Sequence, residues 1–354
     1  MSLLNVTAPC PYCYTDIDLR KVAFRCPGRA AVGKKECTKD IDRVRAAHFG
    51  DLKEYYPAFV PSRTSLVSDT RRAQCPDCLG STGVRLCPQC HSRLPSGFSR
   101  DSSLFGLVGA RSSGKTVMLA VLMRELAMNG PVGRRFRDTI RLCKAGDNNG
   151  QEVRLERLLK QMESSSGQLP AQTQQADGDK TSPVVFEWQR ARRGIAKKVF
   201  GDFTSTVFSF YDTAGEDLAV DERALSMTYL LATNGIILLL DPFSFPGNAG
   251  RATAAKDQRV ETAPENVLHA VTEVMRQNEA TKHNRKIKQP IAIVISKIDA
   301  FWSDIPENNP IRRPSSSLGY YDEAEGASVH DHIASMVSHW GGDGLLTMLE
   351  TNYE

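Results

Sequence analysis

Two cysteine pairs of one spacing, Cys75-Pro-Asp-Cys78 and Cys87-Pro-Gln-Cys90, lie eight residues apart. A C-x-x-C turn lets both thiolates meet one metal ion, and two such knuckles complete a tetrahedron of sulfurs at about 2.3 Å from Zn²⁺. Cys10-Pro-Tyr-Cys13, with Cys26 and Cys37, predicts a second site of looser spacing, with His48 as a substitute ligand. Four thiolates leave no open coordination position, so both sites are expected to be structural. Cys10-Pro-Tyr-Cys13 also spells a redox pair, yet no thioredoxin-like βαβ pattern follows it. The ninth cysteine, Cys143, reads as a small buried apolar residue.

A second chemistry is written just downstream. Gly109-Ala110-Arg111-Ser112-Ser113-Gly114-Lys115-Thr116 matches G-x-x-x-x-G-K-[ST], with an apolar run before it and a helical pattern after it. In that setting the glycines admit phosphate oxygens to the backbone, Lys115 reaches the terminal phosphates, and Thr116 offers a hydroxyl to Mg²⁺. Asp212, in Asp212-Thr-Ala-Gly215, ends an apolar run where a carboxylate can hold the Mg²⁺ water shell. Gly215 can turn a bare N–H toward a γ-phosphate. Ser296-Lys297-Ile-Asp299 follows another apolar run, and a carboxylate at Asp299 suits the guanine N1–H and exocyclic amine, with the Lys297 stem over the base.

This ordered set resembles the Ras-like P-loop GTPases of the TRAFAC class over residues 103 to 354. With the cysteine-rich start, the chain looks most like bacterial double-GTPase domain proteins carrying N-terminal zinc ribbons. The resemblance implies guanine nucleotide bound by Gly109 to Thr116, Gly215, Ser296, Lys297 and Asp299, and magnesium held by Thr116 and Asp212. Lys115 would neutralise charge and Glu216 would place the water. Glu216 stands where such enzymes often have glutamine. The first-switch threonine is assigned to Thr173 in preference to Thr181, and Arg111 is a candidate arginine finger.

The elements that must position these groups alternate along the chain. Residues 104 to 108, 235 to 240 and 291 to 295 read as buried strands, and 116 to 128 and 265 to 277 as helices. Residues 183 to 188 and 204 to 211 read as a strand pair flanking the basic stretch 190 to 198, which would form the tip of a hairpin. The expected fold is α/β: a Ras-like P-loop NTPase, mostly parallel sheet with helices on both faces, preceded by a small zinc-ribbon module. The expected domains are 1 to 98 and 99 to 354, the second lacking its last strand because no apolar strand follows the helix at 333 to 349.

Bulk composition bounds the partners. The 354 residues are 41% hydrophobic with a formal charge of +4. Residues 1 to 100 carry 16 Lys/Arg against 9 Asp/Glu, an excess that thiolates around two Zn²⁺ would mostly cancel, which disfavours nucleic acid as partner. No apolar run approaches the roughly 18 residues of a membrane span, and the start lacks a signal-peptide pattern, so a soluble cytoplasmic protein is expected. The reading is a switch that hydrolyses GTP to GDP with Mg²⁺, its ribbons docking a protein partner or effector. The alternatives are a zinc-ribbon adaptor that binds guanine nucleotide without useful turnover, and a nucleic-acid-binding zinc protein with an accessory ATPase. The sequence names no oligomeric state.

Overall fold

The computed structural model describes residues 7–61, 71–99, 104–110, 112–126, 140–144, 157–161, 164, 183–191, 203–210, 229–251, 263–278, 286–313 and 322–354. Contacts divide the chain into two units. One comprises Met1–Leu104 with Asp138–Tyr211, the other Phe105–Arg137 with Asp212–Glu354. The boundary near Leu104 falls where composition changes, but Asp138–Tyr211 goes with the cysteine-rich segment rather than with the segment around the glycine-rich loop.

The first unit opens on very short strands. β1 (Thr7–Pro9) and β2 (Asp16–Asp18) form a hairpin around the first knuckle. β3 (Ala23–Arg25) is the centre of an antiparallel sheet. It lies between β6 (Ala58–Phe59) and β9 (Arg85–Leu86). β4 (Asp40–Ile41) pairs with β5 (Glu54–Tyr55), and β7 (Ala73–Gln74) with β8 (Ser81–Thr82). Pieces of two or three residues bury too little apolar surface to hold themselves together. What holds them is partly polar.

Helix α1 (Arg43–Phe49) begins at Asp42, whose side chain accepts from the Val44 and Arg45 amides, and ends at Gly50 in the left-handed region. Asp42 also accepts from the Arg25 guanidinium at 2.7 Å and pairs with His91 Nδ1 at 2.9 Å. Arg45, only 2% exposed, donates to Asp51, and the Tyr55 ring carries both guanidinia, 4.9 and 5.0 Å from its centroid. These charges are paired, which is the condition for burying them.

Three longer strands complete this unit, in the sheet order β11 (Ile140–Lys144), β12 (Val184–Ala191) and β13 (Phe203–Phe210). Both pairings are antiparallel, with Val184 opposite Phe210. Buried Val185, Phe186 and Val207 supply an apolar face. Glu187, 2% exposed, accepts from the Gly97 amide at 2.8 Å and the Ser96 hydroxyl at 3.2 Å. Arg85 donates to the carbonyls of Pro95 and Ser96, so both ends of that turn are held.

The second unit is built on a parallel sheet of β10 (Phe105–Gly109), β14 (Gly235–Leu240) and β15 (Ile291–Ile295), in that order. Leu238 and Leu239 are buried in its middle strand. Helix α2 (Lys115–Leu126) buries Leu119 and Ala120, and α3 (Pro264–Asn278) buries Leu268, Val271 and Met275 at helical spacing. The single C-terminal helix expected from sequence is two, α4 (Glu323–His339) and α5 (Asp343–Asn352), broken by Gly341 at φ +83°. Phe243, Phe301, Trp340 and Phe245 pack ring on ring beside that break. Tyr353 forms a parallel bridge with Ile287.

The expected Ras-like sheet is not formed among the described residues. β13, the strand leading toward Asp212, pairs with β12 in the antiparallel sheet, and β10 pairs with β14.

Candidate metal centres

All eight N-terminal cysteines gather into two groups: Cys10, Cys13, Cys87 and Cys90, and Cys26, Cys37, Cys75 and Cys78. Within each group the sulfurs lie within 4.8 Å of one another. The sequence expectation that Cys75, Cys78, Cys87 and Cys90 share a metal is therefore wrong in its pairing. The antiparallel register explains it. Ala23 sits opposite Leu86 and Phe24 opposite Arg85, so Cys26 leaves one end of this strand pair while Cys87 leaves the other. Each end collects its own C-x-x-C knuckle, and the two sites interleave along the chain.

The knuckles share one local geometry. The amide of the residue after the second cysteine donates back to the first cysteine's carbonyl: Tyr14 to Cys10, Leu79 to Cys75 and His91 to Cys87, each at 2.9 Å. Closing that turn forces Tyr14, Leu79 and His91 into the left-handed region, at φ +60°, +56° and +53°. None is glycine, so each carries backbone strain of about 1 kcal/mol that something else must offset. Amides also point at sulfur, from Tyr12 to Cys10 and Gln89 to Cys87, at 3.4 and 3.3 Å. Gly28 donates to Cys26 at 3.4 Å, and a side chain there would collide with the Tyr56 ring.

These residues fit Zn²⁺. A tetrahedron with metal–sulfur bonds of about 2.3 Å has edges of about 3.8 Å. The Sγ separations are 3.9 Å for Cys10 and Cys90, 3.8 Å for Cys13 and Cys87, 3.5 Å for Cys26 and Cys78, and 3.8 Å for Cys37 and Cys75. A disulfide would bring sulfurs to about 2.05 Å. Burial pushes the thiols of Cys10, Cys26 and Cys37 up, that of Cys37 to about 11, so collecting thiolates here calls for a compensating cation. The two clusters could hold zinc. His48, the substitute ligand, is exposed on α1 with its ring beside Phe49 and belongs to neither.

The first cluster is also tied to the longer sheet of its unit. Ser209 on β13 donates to the Pro11 carbonyl, inside the first knuckle, at 2.5 Å, and the Tyr14 hydroxyl lies 3.2 Å from the Ser209 hydroxyl. Sequence reasoning missed Tyr14, His91 and Leu79. The signal was their place, directly after the second cysteine of each knuckle.

In the other unit, Gly109 ends β10 and the turn to α2 passes through Ser112 at φ +59° and Gly114 at φ +89°. Lys115, 6% exposed, donates to the carbonyls of Gly109 and Ala110 at 2.9 Å each, while Ser113 Oγ is buried without a hydrogen-bond partner. Thr116 lies in the first turn of α2. Ser296 sits beside Gly114 and donates to the Leu240 carbonyl. Lys297, also left-handed, pairs with buried Asp241, and Asp299 is exposed in a 3-10 turn. The structure thus brings the glycine-rich turn close to Ser296 and engages Lys297 with Asp241. Arg111, Thr173, Asp212, Gly215 and Glu216 lie outside the described residues.

The chain is similar to the "Putative ESX-1 scaffolding and assembly protein SaeC" of Mycolicibacterium smegmatis, at 22% identity over 365 residues that cover 96% of this chain and 86% of the relative. No family model matches the chain, and no solved structure matches it. This likeness corrects the reading as a Ras-like or double-GTPase protein. It runs almost end to end, through both the cysteine clusters and the glycine-rich turn, to a protein named for scaffolding. Hydrolysis of GTP to GDP as a switch, and guanine-nucleotide binding with Mg²⁺, have no support beyond the short motifs. Motifs of four to eight residues specify local turns, and such turns recur on chains with other tasks.

Proposed function

We propose that this chain is a scaffolding and assembly protein whose N-terminal module is made rigid by two structural Zn²⁺ ions. The observation that carries the reading is the near full-length similarity to a protein named for that role. The clusters support it: each offers four sulfurs and so would leave its metal no position for a substrate. In the same reading the second unit is a P-loop-type α/β layer serving as a frame, supported by its parallel strand order and its glycine-rich turn.

Energetics favour metals over packing in the first 98 residues. Binding of structural Zn²⁺ is worth about 10–16 kcal/mol per site near neutral pH, larger than the whole net stability of a typical domain. Strands of two or three residues cannot supply that. When bound, the ions contribute Lewis-acid cross-links and no open site. Protein partners are the expected clients. No described helix is long and apolar enough to cross a membrane.

The test is recovery of the tagged full chain from its own host under gentle cross-linking. Defined protein partners should co-purify in fixed ratio, and should be lost when both clusters are disabled by Cys10→Ser with Cys75→Ser. A chain that migrates alone under every condition would overturn the scaffold reading.

A further inference from the structure

The two clusters are held in different ways. All four ligands of the first come from C-x-x-C knuckles, Cys10 with Cys13 and Cys87 with Cys90. Amides of Tyr12 and Gln89 point at its sulfurs, and Ser209 anchors its first knuckle through the Pro11 carbonyl. The second cluster takes only Cys75 and Cys78 from a knuckle, while Cys26 and Cys37 come singly. Cys26 is buried directly after β3. Cys37 instead stands in a stretch without regular structure, between exposed residues 32–36 and 38–40.

Cys37 is also the ligand that solvent reaches. The other seven thiols of the two clusters are buried, and Cys37 is partly open. It lies at the edge of the buried group of Cys26, Cys75 and Cys78, against which Ala30, Tyr56 and Phe59 also pack. Among the described residues no amide donates to its sulfur, whereas the Gly28 amide donates to Cys26 at 3.4 Å. A donor on sulfur shares the lone pair that an attacking thiolate needs, so a ligand without one keeps more of its nucleophilicity. Oxidation follows thiolate character and access together, and both converge on Cys37. A second thiol is within reach, since Cys75 Sγ is 3.8 Å away.

We propose that Cys37 is an oxidation site through which a hydroperoxide releases the second zinc and leaves the first in place. The Cys37 sulfur attacks hydrogen peroxide, an S–O bond forms as the O–O bond breaks, and the departing hydroxide takes a proton to become water. Cys75 Sγ then attacks Cys37 Sγ: the S–S bond forms, the S–O bond breaks, and the second hydroxide leaves and is protonated. Two thiolates lose two electrons, and one peroxide becomes two waters. Zn²⁺ is left with Cys26 and Cys78, half of its tetrahedron, and dissociates. The proposal rests on the zinc reading of the clusters and adds a means of regulation to one of them.

The test uses the full chain loaded with zinc, its metal content first fixed by elemental analysis. Hydrogen peroxide is then added while a zinc-responsive dye follows release, and peptides of a non-reducing digest are weighed to locate the disulfide. One zinc should leave together with formation of a Cys37–Cys75 disulfide, and the other should follow about tenfold more slowly. Reductant with added zinc should restore the starting metal content. A short iodoacetamide pulse on the unoxidised loaded chain should mark Cys37 about tenfold ahead of Cys10, Cys13, Cys87 and Cys90. Two zincs leaving at one rate, a first disulfide that omits Cys37, or earlier alkylation of the first cluster overturns the proposal while the zinc reading stands. A chain that takes up no zinc at all overturns both.

Discussion

Ser209 on β13 donates its hydroxyl proton to the carbonyl of Pro11, 198 positions earlier, so the turn that presents Cys10 and Cys13 rests on a strand of the longer antiparallel sheet. Both residues belong to one unit. Seating a metal knuckle on a sheet couples metal retention to sheet stability, because loosening either removes a partner from the other.

Ser209→Ala should therefore do more than remove one hydroxyl. The Pro11 carbonyl loses its buried donor, a loss worth about 1–3 kcal/mol. Thermal unfolding of the cysteine-bearing unit should begin several degrees lower, and a chelator should extract the first zinc about fivefold to a hundredfold faster, at about 1.4 kcal/mol per tenfold. Ser209→Ala with unchanged chelation kinetics would show that the bond is incidental to the site.

Metal content can read out the crossed cysteine pairing. Cys10→Ser combined with Cys87→Ser disables one cluster twice and should leave one zinc per chain. Cys75→Ser combined with Cys87→Ser disables both and should leave none tightly held. The pairing by sequence neighbourhood gives the reverse for the second variant, one zinc retained. Elemental analysis of the purified proteins decides between them.

Asp42 joins α1, Arg25 and His91, and its carboxyl is held below the ordinary carboxylate range. Burial pushes it up, but the bonds from Arg25 and His91 outweigh that. A depressed carboxyl contributes stability fully present above its unfolded value of about 3.9, and lost as pH falls through the folded one. Protonation of metal-bound thiolates begins at higher pH, so metal release should set the acid limb of unfolding. Asp42→Asn should cost about 3 kcal/mol at pH 7, where one partner of a buried pair is removed, yet leave the acid midpoint nearly unmoved. Denaturant melts at pH 7 and an acid titration followed by zinc release test the two halves.

What was legible in the sequence was local. Strands at 235 to 240 and 291 to 295 were read from apolar runs, and the knuckles from their spacing, because each depends on neighbours within a few residues. The cluster partners were not legible, since Cys26 meets Cys78 through the antiparallel register of β3 and β9, a contact across 52 positions. The pairing of β12 with β13 was legible, because two apolar runs flanking one basic stretch read as a hairpin, but that β11 would join them on the other side of β12 was not. The GTPase reading then compounded three short motifs into a site whose assembly only tertiary structure could supply.

The glycine-rich turn shows how a motif can be required by packing alone. A Cβ on Gly109 would stand 2.6 Å from Ser113 Oγ and 2.7 Å from the Leu239 carbonyl on the neighbouring strand. The hydroxyl can rotate away, but the carbonyl is fixed in the β10–β14 ladder, so Gly109→Ala should overpack the sheet edge at a cost of about 2–3 kcal/mol. Gly114 differs: its φ is +89°, but the nearest atom to an added Cβ is Ser296 Cβ at 3.9 Å. Gly114→Ala should cost only the backbone strain, about 1 kcal/mol. Adding Ser113→Gly to Gly109→Ala should recover less than half of the loss, because the Leu239 carbonyl remains. Melting temperatures of the three variants test this order, and a Gly114→Ala loss exceeding that of Gly109→Ala would place the demand for glycine in the turn's conformation instead of in strand packing.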